Sequence, residues 1–351
     1  MKKRHFLLAC ILFLSLAGVC LADTPAAGDQ EGFPGGYTKE RYLTDKAKAE
    51  KGDAGAQFVM GYLYHRQVVD FVKADSAKAF SWYQKAALQG HLQACQILGL
   101  MYQKGDGTKA DPEAAKRSYQ YAADRGLAEA RYGLGLLYAE GLGVPRDEEL
   151  AIFWFKKADR QNFSPASVAL GVMYAGGRGV SKDLEAAFNW FVRSAELGNS
   201  EGMLRVAGMY RTGIGVPQDI GIAIRWLEEA LKVKTRSSLL ATNDLAWILA
   251  TCPDTTYRDS KRALELAEFL VKSGATQPSA LDTLAAAYAA NGLYEKAIHV
   301  QEDAIRKLDE TGEVQLEAAL KERLALYKAG KPWIDTEKTV SPAKKQGTAQ
   351  K

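Results

Sequence analysis

The stretch "YAEGLGVPRDEELAIFWFKKA", Tyr138 to Ala158, joins a Gly-x-Gly turn to the start of a helix, as a phosphate-binding loop does. The turn recurs. "KGDGTKADPEAA" begins at Lys104, "EGLGVPRDEELA" at Glu140, "GGRGVSKDLEAA" at Gly176 and "TGIGVPQDIGIA" at Thr212. The first glycines, Gly105, Gly141, Gly177 and Gly213, stand 36 residues apart, and so do the second glycines, Gly107, Gly143, Gly179 and Gly215. Tyr102, Tyr138, Tyr174 and Tyr210 keep the same step, as do Asp111, Asp147, Asp183 and Asp219. Self-similarity at such a period marks a stack of repeats.

Each unit reads as two antiparallel helices. In helix A, Ala130, Leu134 and Tyr138 share one face, as Ala94, Leu98 and Tyr102 do one unit earlier, because a four-residue step returns to the same side of a helix. A small residue after each leucine (Gly99, Gly135, Gly171) lets a neighbouring helix approach closely. The Gly-x-Gly turn ends helix A through residues that accept positive φ. The aspartates are placed to cap helix B, and Glu148 and Glu149 suit the positive end of its dipole. Ala151, Trp154, Phe155 and Ala158 form the buried stripe of helix B. Trp82, Trp154, Trp190 and Trp226 share one framework position and are expected in the core.

This pattern excludes the phosphate loop. A dinucleotide or P-loop site needs a strand before its glycines. Here a helix precedes them, four times over, without a Gly-Lys-Ser/Thr ending.

"LGLMYQKGDGTKADPEAAKRSYQYAADRG" and "LGVMYAGGRGVSKDLEAAFNWFVRSAELG" resemble Sel-one-like repeats, a branch of the tetratricopeptide superfamily. The resemblance covers about residues 54 to 234 in five units. It implies an all-α fold, a right-handed α-solenoid of stacked antiparallel helix pairs. The first unit carries "HRQVVDFVKAD" where the turn belongs. Its loop Gln67 to Val72 either docks a partner or folds back over the exposed end of the stack. "LDTLAAAYAANGLYEKAIHVQEDAI" from Leu281 resembles a tetratricopeptide unit, and "NDLAWILATCPDTTYRDSKRALELAEFL" from Asn243 a related hairpin with a lengthened loop. A last helix from about Val314 to Ala329 closes the series. The expected domains are therefore 37–235, Sel-one-like repeats, and 236–333, tetratricopeptide-like repeats and a capping helix. A flexible linker, 23–36, precedes them, and a disordered tail, 334–351, follows.

At the N-terminus, Lys2, Lys3 and Arg4 precede an apolar run from Phe6 to Leu21, with Cys20 and Ala22 at the −3 and −1 positions. This reads as a secretory signal, residues 1–22, cleaved after Ala22, and places the mature chain in the periplasm or outside the cell. The rival is lipidation at Cys20, the one reading that attaches the chain to a membrane; Val19 stands where that processing wants Gly, Ala or Ser. Cleavage removes three of the cations behind the formal net charge of +4. No basic cluster elsewhere suits nucleic acid.

The chain carries no His-Glu-x-x-His, Cys-x-x-Cys or Gly-x-Ser-x-Gly. Cys95 sits in an apolar helical stripe, a poor setting for a low-pKa thiol. Secreted, cysteine-rich relatives of this repeat class bind or hydrolyse β-lactams, but carry a cysteine pair in nearly every unit; this chain lacks those pairs, and its one Ser-x-x-Lys, Ser341 to Lys344, stands in the polar tail. The aspartates, one per repeat, lie too far apart to share a calcium ion. No catalytic, cofactor or metal residues are assigned, and the reading is a non-enzymatic scaffold of the bacterial envelope, with an enzyme acting on cell-wall fragments or β-lactams as its alternative. By resemblance to tetratricopeptide grooves, the concave face displays Phe58, Tyr62, His65 and Arg66, then Gln93, Gln96, Leu100 and Gln103. Tyr132, Leu136, Glu140, Val168, Val172, Leu204 and Arg211 continue it. Such residues suit a protein or peptide partner.

Overall fold

The computed structural model describes residues 37–67, 69–233, 235–309 and 314–336. Residues 1–22, expected as a secretory signal, the expected linker 23–36, Val68 and the residues from 337 onward lie outside them. The described chain forms two compact units meeting in sequence at Asp183 and Leu184. The first holds α1 (Lys39–Glu50), α2 (Ala54–Arg66), α3 (Ser76–Leu88), α4 (Leu92–Lys104), α5 (Pro112–Asp124), α6 (Ala128–Glu140), α7 (Glu148–Asp159) and α8 (Ser164–Gly176). The second holds α9 (Leu184–Glu196), α10 (Ser200–Thr212), α11 (Ile220–Lys232) and α12 (Arg236–Thr251). It continues with α13 (Ser260–Lys272), α14 (Pro278–Ala290), α15 (Tyr294–Asp309) and α16 (Val314–Lys328). Each unit is an α-solenoid of paired antiparallel helices, and no strand occurs among the described residues.

The turn shows why its spacing recurs. Gly105 adopts φ 70° and its N–H donates to the carbonyl of Met101 in the last turn of α4; Gly141 does the same to Leu137. The N–H of Asp111, Asp147, Asp183 and Asp219 donates to the carbonyl of Tyr102, Tyr138, Tyr174 and Tyr210, at 2.9 to 3.0 Å. The aspartate side chain then caps the next helix: Asp111 accepts from Ala114 N, Asp147 from Leu150 N, Asp219 from Ile222 N. Asp75 and Asp259, outside the glycine pattern, cap α3 and α13 identically.

The second glycine has a different task. A Cβ on Gly107 would lie 2.1 Å from the carbonyl oxygen of Ser76, at the start of α3 in the preceding hairpin. On Gly143 it would lie 1.8 Å from Pro112 Cβ, and on Gly179 2.7 Å from Glu148. Each turn thus seats its bare backbone on the first residues of the previous helix B. The glycines join hairpins.

The core corrects the expected tryptophan stripe. Trp154 is buried, but Trp82, Trp190 and Trp226 are half-exposed. The next residue is the one that fills the interior: Tyr83, Phe155, Phe191 and Leu227 are at most 1% exposed, as is Tyr119 after Ser118. One residue turns a helix by about 100°, and that turn aims the second aromatic at helix A. There the helical glycine receives it: a Cβ on Gly61 would lie 2.7 Å from the Tyr83 ring, and one on Gly135 2.4 Å from Phe155. Tyr119 is flanked by two, Gly99 and Gly133. Trp82, Trp190 and Trp226 lean outward, and Lys85 sits 4.2 Å above the Trp82 ring.

At the start of the first unit, α1 packs ahead of the first repeat. Tyr37, Ala49, Ala56, Met60, Leu63 and Val72 are buried together, with Val69 against them. The loop carrying Val69 and Val72 therefore folds onto this end of the stack, leaving Phe71 exposed beside Tyr42.

Candidate functional site

The A helices α2, α4, α6, α8 and α10 carry the fifteen residues expected to meet a partner. Their environments divide them.

Tyr132 and Leu136 do not reach the surface. Tyr132 is 1% exposed, its ring packed between Phe155 and Phe163 at 5.6 and 5.5 Å, and Leu136 is 8% exposed. Val168 and Val172 are buried as well. For Tyr132 the cause is Phe163, the residue that precedes the following A helix. Phe163 covers Tyr132 much as His91 covers Phe58, whose ring stacks on the imidazole at 4.5 Å and 16°. Part of the inner row is thus packing between repeats.

His65 and Glu140 are held by the turn of the next repeat, through the residue between its glycines. Asp106 Oδ2 lies 3.0 Å from His65 Nε2. Arg178 reaches back to Glu140 Oε1 at 3.2 Å, to the carbonyl of Ala139 at 2.7 Å and to Glu148 Oε1 at 2.9 Å. Arg146 pairs with Glu148 too. Burial raises the Glu148 carboxyl, but the hydrogen bonds from Arg146 and Arg178 outweigh it and hold the group below the usual carboxylate range. Gln103 accepts from the Tyr119 hydroxyl at 3.3 Å.

The remainder faces outward. Arg66 is exposed; Phe58, Tyr62, Gln93, Gln96, Leu204 and Arg211 are half-buried. The amides of Gln93 and Gln96, three residues apart on α4, make no side-chain hydrogen bond among the described residues. Four N–H donors and two carbonyl acceptors stand side by side, open to a ligand's main chain.

His91, which carries no motif in the sequence, has a part in positioning this surface. Its Nδ1 accepts from Ala94 N at 3.3 Å and caps α4, the helix that carries Gln93 and Gln96. Accepting requires the unprotonated ring, and burial pushes the His91 pKa below its ordinary value. The sign follows: above about pH 6.5 both chain states are neutral here and the cap contributes in full. As pH falls, the unfolded chain takes the proton first, so stability declines until the folded state is protonated as well. Urea unfolding at pH 7.5 and pH 5 measures this. His91→Asn keeps a capping acceptor without titrating, and its decline between the two pH values is expected to be smaller by about 1 kcal/mol. Equal declines would contradict the cap.

Cys95, the candidate nucleophile of the alternative reading, is buried among Tyr119, Ala122, Ala130 and Leu134, and burial pushes its thiol up. A raised thiol is the wrong direction for a nucleophile. Among the described residues, no group of three or more His, Cys, Asp or Glu is placed to hold a metal ion, and no helix is long and apolar enough to cross a membrane.

The Sel1 repeat pattern matches residues 54–91, 92–127, 128–162, 164–199 and 200–232. Among solved structures, a protective antigen present in uropathogenic Escherichia coli strains, displaying an SLR fold, is 27% identical with a TM-score of 0.63. That match covers 81% of this chain and 58% of the antigen, so the chain spans less than two thirds of its length. A Sel1 repeat protein from Oxalobacter formigenes is 26% identical with a TM-score of 0.57, over 67% of this chain and 99% of that one. No curated protein matches the chain.

Proposed function

Because the chain belongs to the Sel1 repeat family, a fold typical of protein–protein interaction modules, we propose that it is a non-enzymatic scaffold holding a protein or extended peptide along the inner faces of its A helices. In the first unit the contact residues are Phe58, Tyr62, Arg66, Gln93 and Gln96; in the second, Leu204 and Arg211. The observation that carries this reading is the pair of open amides on α4. Around them, polar groups are matched within the fold: Asp106 by His65, Glu140 by Arg178, Gln103 by Tyr119. Gln93 and Gln96 are left for an outside partner. Amides that exchange water for a ligand's main chain give register without demanding one sequence. We place the scaffold in the bacterial envelope, on the strength of the secretory signal ending at Ala22.

A photo-reactive side chain substituted at Gln96 tests the face directly. Irradiated in intact cells, it is expected to yield a discrete crosslinked protein, while the same group at Arg117, exposed on the outer helix α5, yields none. Crosslinking from Arg117 with none from Gln96 would sink the reading.

A further inference from the structure

The last helix is followed by a segment that docks. Asp335, expected in the free tail, is seated on α12, and Trp333 just before it on α14, α15 and α16. The Asp335 N–H donates to the carbonyl of Thr251 at 2.9 Å, and Asp335 Oδ2 accepts from Trp247 Nε1 at 3.0 Å. Thr251 is the last residue of α12, where helix carbonyls lack an internal partner. Two residues before Asp335, Trp333 packs against Ala285, Ala289, Ala297 and Tyr327.

The seat is built by groups outside the strap. Arg323 Nε donates to Asp282 Oδ1 at 2.8 Å, its NH2 group lies 2.8 Å from Asp282 Oδ2, and Gln301 Nε2 donates to the same carboxylate at 2.9 Å. Asp282 and Arg323 are both buried. So fixed, the guanidinium lies 5.3 Å from the Trp247 ring and 5.4 Å from the Trp333 ring, a cation shared by two indoles. One indole belongs to the seat and the other to its occupant. The occupant thus makes one main-chain bond, one carboxylate bond and one ring contact, the set an extended peptide makes on a groove. Its fit is imperfect: the Tyr327 hydroxyl and the Trp333 indole N–H are buried without a hydrogen-bond partner, which weakens the hold.

We propose that this seat is a docking site for an extended peptide of a partner, in which an aromatic side chain precedes an acidic one by two residues. Lys331–Thr336 fills it in the partner's absence. The site shares no residue with the α2 and α4 surface of the first unit or with Leu204 and Arg211 on α10, so either reading can fail alone.

The test uses the full chain carrying W333A and D335A, and a fluorescent peptide of sequence KPWIDT, that of residues 331–336. Anisotropy is expected to show at least tenfold tighter binding to the double variant than to the unaltered chain. Binding should be lost when the peptide's Trp or Asp becomes Ala, or when Trp247→Phe is added. Equal binding to both chains, or none to the double variant, overturns the proposal. Asp335→Asn, which keeps the ring in place, guards against a misfolded variant and is expected to give a gain of about threefold; no gain there counts against the site. Cys252, buried next to Thr251, supplies an independent readout. In a Cys95→Ser background its alkylation is expected to quicken in the double variant and slow again on adding peptide, and an unresponsive thiol contradicts the docking. A doubled mass of the unaltered chain in light scattering, lost on W333A and D335A, would assign the seat to a second copy's tail instead.

Discussion

Phe191→Ala is expected to lower the unfolding free energy by about 3–5 kcal/mol, with Trp190→Ala costing well under half as much. The two aromatics are neighbours on α9, yet only Phe191 is enclosed, at 1% exposure; Trp190 is half-exposed. Truncating an enclosed ring loses its transfer free energy and leaves a cavity, whereas a ring partly in water loses less of both. In stacked repeats each hairpin is stabilised mainly by its neighbours, so the loss at Phe191 should also broaden the transition. Urea unfolding followed by circular dichroism measures both. A Trp190→Ala variant as damaged as Phe191→Ala would overturn the assignment of the core row.

Gly107→Val is expected to cost on the order of 4 kcal/mol, the size reserved for a specific structural fault. Two faults combine. At φ +67 a β-branched residue is strained, and its Cβ would overlap the Ser76 carbonyl, main chain that is anchored by the start of α3. Gly52→Ala separates the terms: Gly52 has φ +100 with nothing within 4 Å of the added carbon, so strain of about 1 kcal/mol remains alone. Gly107→Ala should therefore lose clearly more than Gly52→Ala in the same unfolding measurement. Equal losses would mean that the turn merely bends.

The fold was largely legible because its determinants are local. A glycine of positive φ and an aspartate capping the next helix act within ten residues, and their spacing is printed in the chain. The first unit was legible only in part. Asp75 caps α3 like its counterparts, but the loop before it hid the register, and α1 carries no repeat signature at all. What the sequence could not separate was two adjacent aromatics on one helix. Trp190 and Phe191 are both apolar at helical spacing, and only the packing of the helices encloses one of them. The same limit misjudged the surface. Tyr132 matches a groove position, yet Phe163, thirty-one residues later, covers it. Glu140 and His65 read as free polar residues until the turns of the following repeat bring Arg178 and Asp106 onto them. Gln93 and Gln96 stayed available because no later residue was positioned to take them.

One crystal structure would test the account most directly: the chain crystallised with excess inorganic phosphate and ATP. The prediction is main chain of Gly107, Gly143 and Gly179 in van der Waals contact with Ser76, Pro112 and Glu148 of the preceding hairpin, with no phosphate between them. A phosphate cradled by those glycine amides, with the hairpins held apart, would contradict it.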